Sequence, residues 1–145
     1  MRNLFLLMVA ALICGCGKDD LLVDTGAISL PAEVRLHLGQ AVLFPREGYT
    51  ITFEQVTEDS RCPIGVVCVW AGDGAARLSL KDQAGAVNND TLHTTLDPRW
   101  IQFQVLTVRL KGLDPYPVFD EPLDSSLYVV TLEVGRAAPE PVETK

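Results

Sequence analysis

The feature of this sequence that most constrains its fold is an alternation of apolar and polar residues with a period of two. The alternation runs through residues 34–38, 49–54, 76–81 and 128–134. Successive side chains of a β-strand point to opposite faces, so this pattern is typical of strands with one buried face. Beyond position 25, no window of ten residues holds a helical period without a breaker. About seven short strands separated by turns predict an all-β domain, either an antiparallel β-sandwich or a small barrel.

The remaining segments complete the predicted strands and loops. Residues 86–96 are expected to form a weaker strand that is interrupted near position 89. Within residues 101–110 the apolar positions change phase once, and a phase slip of one residue is what a β-bulge produces, so we predict one long bulged strand. Residues 54–75 and 112–126 are predicted as long loops, the second because it holds three prolines.

The start of the chain predicts export. Arg2 precedes ten apolar residues, 4–13. Such a run is too short to cross a bilayer core of about 30 Å as a helix, but it suits the apolar region of a secretory signal peptide. The sequence Ile13-Cys14-Gly15-Cys16 resembles the lipobox of bacterial lipoproteins. The resemblance implies that Cys16 becomes the lipidated first residue of the mature protein; a plain signal peptide cleaved nearby is the alternative.

These features divide the chain into four segments. We expect a signal peptide over 1–15, a lipidated tether over 16–25, a β domain over 26–136 and a flexible tail over 137–145. Several acyl chains anchor a protein stably, so the membrane is an expected partner through the lipid. The expected location is the bacterial cell envelope, at the periplasmic face of the outer membrane in a Gram-negative cell.

The charge of the chain excludes some classes of partner. The formal net charge is −7, and the sequence contains no basic stripe. Phosphate contacts need clustered Lys and Arg, so nucleic-acid binding is disfavoured. An acidic surface also disfavours recruitment to anionic lipid by charge alone. The expected partner besides the membrane is an envelope protein or a ligand of unknown identity.

The cysteines predict one disulfide. Cys14 lies in the predicted signal peptide and Cys16 would be acylated, which leaves Cys62 and Cys68 as a pair in an oxidising compartment. Five residues separate them, and a bond across so short a loop is worth about 2 kcal/mol. Gly65 within the ring can adopt the turn conformation that closure needs.

The sequence offers little support for catalysis or metal binding. A redox dithiol normally has the spacing C-x-x-C at a helix N-terminus, which this loop lacks. A zinc site needs more ligands, and the two histidines, His37 and His93, are isolated at strand positions. No Gly-rich phosphate loop, G-x-S-x-G or H-E-x-x-H motif is present. We therefore expect no catalytic residue, no metal, no cofactor and no enzymatic activity.

The cysteine loop could instead carry a binding surface, whose candidate rim is Asp59, Arg61, Ile64 and Trp70. Arg61 could pair with Asp59 or Glu58, or contact a ligand directly. Trp70 is expected to pack against the disulfide in the core, with a ligand-stacking platform as the alternative. Ile64 and the neighbouring valines could face the core or be presented to a partner.

The same stretch carries a family resemblance. E-D-S-R-C-P at residues 58–63, followed by C-V-W-A-G at 68–72, resembles the signature of a family of small bacterial envelope lipoproteins. The resemblance implies a β domain and an export route, and it carries over no activity. The leading hypothesis is a lipid-anchored, non-enzymatic binding or interaction module. The alternatives are an inhibitor of a secreted hydrolase acting through the Cys62–Cys68 loop and a structural envelope component.

Overall fold

The computed structural model describes residues 22–23 and 29–138. In these residues the chain forms nine β-strands and one short 3₁₀-helix, and it contains no α-helix. The elements are β1 (Leu22–Val23), β2 (Ala32–His37), β3 (Ala41–Phe44), β4 (Tyr49–Asp59), β5 (Gly74–Asp82), β6 (Val87–His93), β7 (Trp100–Phe103), β8 (Leu106–Asp114), the 3₁₀-helix (Ser125–Leu127) and β9 (Val129–Arg136).

The strands form two sheets that enclose one core. The first sheet has the order β1-β3-β4-β5-β6, and the second has the order β2-β9-β8-β7. Every neighbouring pair is antiparallel except β1 and β3, which run parallel. The all-β prediction is confirmed, and of the two predicted architectures the sandwich is the observed one.

The alternation in the sequence sets which side chains fill the space between the sheets. In β2, Val34 and Leu36 are buried whereas Arg35 and His37 are exposed. The same inward pattern holds in the central strands of both sheets, where burial of apolar surface supplies the main stabilisation. The largest fully buried side chains are Phe44, Phe53, Leu36, Ile51, Leu78, Leu80, Leu92, Leu106 and Leu132.

One predicted strand is in fact two. Residues 101–110 were expected to form a single strand with a bulge, but β7 and β8 are joined by the two residues Gln104 and Val105, and Phe103 pairs with Leu106. Gln104 adopts a positive φ of 54°, as tight hairpin turns require. A two-residue hairpin turn moves the alternating apolar positions by one residue along the sequence. A β-bulge inside a single strand does the same, so the two have the same sequence pattern. The bulge of this region lies later, between Leu110 and Gly112.

Three strands are longer or more regular than predicted. β4 continues to Asp59 through two register shifts, and β8 continues to Asp114. The loops expected over 54–75 and 112–126 therefore begin after these strands. β6 pairs with β5 without a break, so the predicted interruption near position 89 is wrong. Cross-strand pairing to β5 holds polar residues in a strand that propensity alone disfavours.

The N-terminal end of the sandwich lies within the segment expected to be a tether. β1 falls inside 16–25 and adds to the edge of the first sheet beside β3. The predicted signal peptide, Cys16 and most of the predicted tail lie outside the described residues. Within the described part of the chain, no helix has the length and apolar character needed to span a bilayer.

Candidate functional site

Two loops meet at one end of the sandwich. The Cys loop, residues 60–73, connects β4 to β5, and the Pro loop, residues 115–128, connects β8 to β9. Their backbones are joined: the Ile64 amide donates to the Pro117 carbonyl at 2.9 Å, and the Phe119 amide donates to the Ile64 carbonyl at 3.0 Å. We call the two loops together the two-loop tip. Because they are bonded to each other, they present one surface rather than two separate segments.

The disulfide and a glycine fix the shape of the Cys loop. Cys62 and Cys68 are bonded, as predicted, with their Cα atoms 5.9 Å apart. Gly65 inside the ring has a φ of +99°, a conformation that side-chain-bearing residues rarely adopt. The positive φ of Gly65 therefore allows this short disulfide ring to close, as the sequence predicted.

The base of the Cys loop is a narrow neck. The Ser60 amide donates to the Asp73 carbonyl at 2.7 Å, and the Cys62 amide donates to the Ala71 carbonyl at 2.9 Å. Gly72 sits in this neck with a φ of +69°, and a Cβ there would overlap the Ser60 carbonyl. The two arms approach too closely for any other residue at position 72.

Arg61 lies beneath the tip and binds both loops to the sandwich. Its guanidinium forms a two-pronged ion pair with Asp59, with Nε–Oδ1 at 2.7 Å and Nη2–Oδ2 at 2.6 Å. It also donates to the carbonyls of Leu113 and Pro115, where the Pro loop begins. The ring of Tyr116 lies over it at 4.7 Å. Five donors in a planar fork make arginine suited to such a junction.

Asp59 and Arg61 are therefore not part of an exposed rim, which corrects their placement there from the sequence. Arg61 is only 6% exposed. Of the alternatives left open for it, the structure shows pairing with Asp59. A charged pair is buried here because the guanidinium donates hydrogen bonds to the carbonyls of Leu113 in β8 and Pro115 in the Pro loop as well as to the carboxylate.

The ionisation of this junction follows from its contacts. Burial raises the pKa of Asp59, but hydrogen bonds from Arg61 and Tyr128 and the charge of Arg61 lower it more, so the net pKa is below its usual value. Burial and the hydrogen bond that Tyr128 donates to Asp59, at 2.7 Å, raise the pKa of the tyrosine to about 12. The carboxylate is thus ionised and the phenol neutral across the physiological range.

The Cys loop and part of the Pro loop expose large apolar side chains to solvent. Trp70 is 80% exposed, so the expectation that it packs against the disulfide in the core is wrong. Val67 is fully exposed, and Ile64 is also exposed rather than facing the core. The other large exposed apolar side chains of the tip are Val66, Val69, Tyr116, Val118, Phe119 and Leu127. No charged residue occurs from position 62 to position 72.

A second polar cluster stabilises the neighbouring loop. Asp73 is buried and contacts the His93 ring, and it accepts hydrogen bonds from the Thr94 hydroxyl and the amides of Thr95 and Leu96. Burial raises the pKa of Asp73, but the hydrogen bonds from His93 and the two amides outweigh it and hold the pKa below its usual value. In the described chain no three His, Cys, Asp or Glu side chains are grouped to hold a metal ion.

The sequence had indicated only half of this surface. Ile64 and Trp70 were candidates for the rim and are exposed, although core packing was the leading expectation for Trp70. Tyr116, Val118 and Phe119 were missed. The available signal was three large apolar residues inside a proline-rich segment that belongs to no strand. Their pairing with the Cys loop joins positions more than 50 residues apart, which no local pattern encodes.

The chain was compared with known proteins in three ways. No protein-family model, curated protein or solved structure matches it.

Proposed function

We propose that the chain is a lipid-anchored, non-enzymatic binding module of the bacterial cell envelope, and that the two-loop tip is its binding surface. The observation that carries this proposal is the concentration of exposed apolar side chains on two loops bonded to each other. Contiguous exposed apolar surface marks interaction sites in soluble domains. Trp70 and Phe119 supply the large aromatic contacts that interfaces favour.

The rigidity of the tip supports a role in binding. The disulfide, the Ile64–Pro loop hydrogen bonds and the Arg61 junction all restrict the loops before any partner arrives. A pre-organised surface loses less conformational entropy on association than a flexible one. Internal bracing of loops whose side chains stay in solvent favours recognition over core formation.

The anchor is the second part of the proposal. Lipid on Cys16 would hold the β domain at the membrane surface, within reach of envelope components. Replacing the cysteine, Cys16→Ser, is expected to release the protein from the membrane fraction after cell disruption. Continued sedimentation of the variant with membranes would contradict lipidation at this residue.

Photo-crosslinking tests the binding surface. A photoreactive amino acid is placed at Val67, which is fully exposed on the tip, or at Val87 as the matched control. Val87 is also exposed, but it begins β6 at the opposite end of the sandwich. Irradiation of intact cells is expected to yield a crosslinked product from position 67 and none from position 87. Equal yields at both positions, or none at position 67, would contradict the proposal.

A second candidate function, inhibition of a secreted hydrolase, is favoured by the exposed disulfide ring. The ring places Val67 fully in solvent between its two cysteines. Ile64 is less suited to this role, because its amide and carbonyl are both bonded to the Pro loop and cannot pair with an enzyme. Val67→Asp is expected to abolish such inhibition; an unchanged inhibition constant against a responsive hydrolase would exclude the ring.

A further inference from the structure

The direction of β1 shows from which end of the sandwich the chain arrives. Leu22 pairs with Ala41 and Val23 with Val42 in parallel register. Ala41 in turn pairs with Thr52 of β4, and β4 runs from there to Asp59 at the root of the Cys loop. The chain therefore enters β1 from the side on which the two-loop tip lies.

The length of chain before β1 limits where a lipid can sit. Six Cα–Cα steps separate Cys16 from Leu22, which is about 20 Å at full extension. Thr52 and Asp59 of β4 pair with Ser79 and Gly74 of β5, which are five residues apart, so the two bulges of β4 leave this stretch about 17 Å long. An anchor on Cys16 that follows the direction of β1 thus reaches the height at which the tip begins.

The same length disfavours an anchor at the other end. A β-turn that reversed the chain would take four residues, and the two remaining steps would cover about 7 Å. The strand β3 alone extends about 10 Å beyond the level of Ala41 before its turn. A reversed tether would therefore end alongside the sheet and short of the opposite end.

The chemistry of the tip suits the surface of a bilayer. Tryptophan and other aromatic residues favour the membrane–water interface, where a ring can be partly apolar and partly hydrated. The stretch 62–72 brings no charge into that region. The Pro loop also carries three exposed acidic residues, Asp120, Glu121 and Asp124. Their negative charge would repel anionic lipid, so zwitterionic lipid would be preferred.

We propose that the two-loop tip inserts its apolar side chains into the interface of the same zwitterionic bilayer that holds the lipid of Cys16. The inference rests on the proposed function and identifies the bilayer as the ligand of that surface. The lipid and the tip then form two attachments, and the first raises the effective concentration of the second. The domain is held in one orientation, with the opposite end of the sandwich directed away from the membrane.

The two tryptophans of the chain allow a direct test. Lipidated protein is reconstituted into phosphatidylcholine vesicles, with either ordinary acyl chains or brominated chains that quench tryptophan fluorescence. Trp100→Phe leaves only Trp70 as a reporter on the tip, and Trp70→Phe leaves only Trp100. Trp100 pairs with Arg109 of β8. Arg109 and Asp114 pair with Glu133 and Val129, which are four residues apart, so Trp100 lies about 13 Å along the sheet from the tip.

Brominated lipid is expected to quench most of the Trp70 emission and to leave the Trp100 emission unchanged. Adding Val69→Asp to the Trp100→Phe protein is expected to restore Trp70 emission, whereas Val87→Asp in the same background should not. Equal emission of Trp70 in the two lipids would overturn the inference. In that case a crosslinked protein product from the photoreactive residue at position 67 would still support the proposed binding function. If no such product formed, both the proposed function and the membrane inference would be contradicted.

Discussion

Breaking the Arg61–Asp59 pair by the substitution Arg61→Met should destabilise the domain far more than loss of an ordinary surface ion pair. The substitution keeps most of the side-chain volume but leaves the Asp59 carboxylate, 9% exposed, without its cation. It also removes the donors to the Leu113 and Pro115 carbonyls. Loss of one partner of a buried ion pair costs about 3–5 kcal/mol. In a domain of this size that lowers the melting temperature by roughly 12–20 °C.

A matched control separates burial from the loss of a charge. Arg77→Met removes a guanidinium that pairs with Glu54 at 3.5 Å on the surface of the first sheet, where both side chains are about two-fifths exposed. Surface pairs contribute less than about 1 kcal/mol. The double variant Asp59→Asn/Arg61→Met should recover part of the loss, because it leaves no uncompensated buried charge.

Chemical denaturation followed by far-ultraviolet circular dichroism measures all three variants against the wild type. The expected order of destabilisation is Arg61→Met, then the double variant, then Arg77→Met. If Arg61→Met and Arg77→Met reduced the free energy of unfolding equally, Arg61 would not be the buried junction of the two loops, and the reasoning from its contacts would be refuted.

Three further predictions concern the same end of the molecule. Reducing Cys62–Cys68 should lower the free energy of unfolding by about 2 kcal/mol and the melting temperature by several degrees, measured by calorimetry with and without reductant; an unchanged melting temperature would show that the bond does not stabilise the domain. Asp59 and Asp73 have pKa values below the usual 3.8. Their stabilisation is therefore complete above that pH and is lost as the pH falls through the lowered values; a denaturation midpoint constant from pH 5 to pH 2 would contradict this. Tyr128 keeps its proton up to about pH 12, whereas the unfolded chain loses it near pH 10. Stability should therefore fall between these values by about 2–3 kcal/mol, and this part of the loss should be absent from Tyr128→Phe.

The core of the fold was predictable because the alternation of apolar and polar residues is local. Val34 and Leu36 in β2, and Leu78 and Leu80 in β5, are buried at the positions that the period of two assigns to them. The β7–β8 hairpin was missed because a two-residue reversal at Gln104 shifts the apolar phase by the same one residue as a bulge. Periodicity alone does not distinguish these two geometries.

The candidate site was only partly predictable, because its arrangement depends on contacts between distant segments. Arg61 is charged and was expected at an exposed rim, yet it is buried. It donates hydrogen bonds to the carbonyls of Leu113 and Pro115, which lie more than 50 residues further along the sequence. Trp70 is large and apolar and was expected in the core, yet it is 80% exposed on a loop whose two arms meet in a narrow neck at Gly72. By residue type alone, Arg61 would be exposed and Trp70 buried. Contacts between segments distant in sequence produce the opposite arrangement.

The most direct test of the account compares the oxidation of Trp70 and Trp100 by hydroxyl radicals in intact cell envelopes. With the surface of the tip free, Trp70, at 80% exposure, should react faster than Trp100, at 48%. If the two-loop tip is the contact surface of an anchored module, Trp70 should be oxidised more slowly than Trp100 in the envelope. A faster oxidation of Trp70 there, in the order of the two exposures, would show that the tip is unoccupied and would contradict the account.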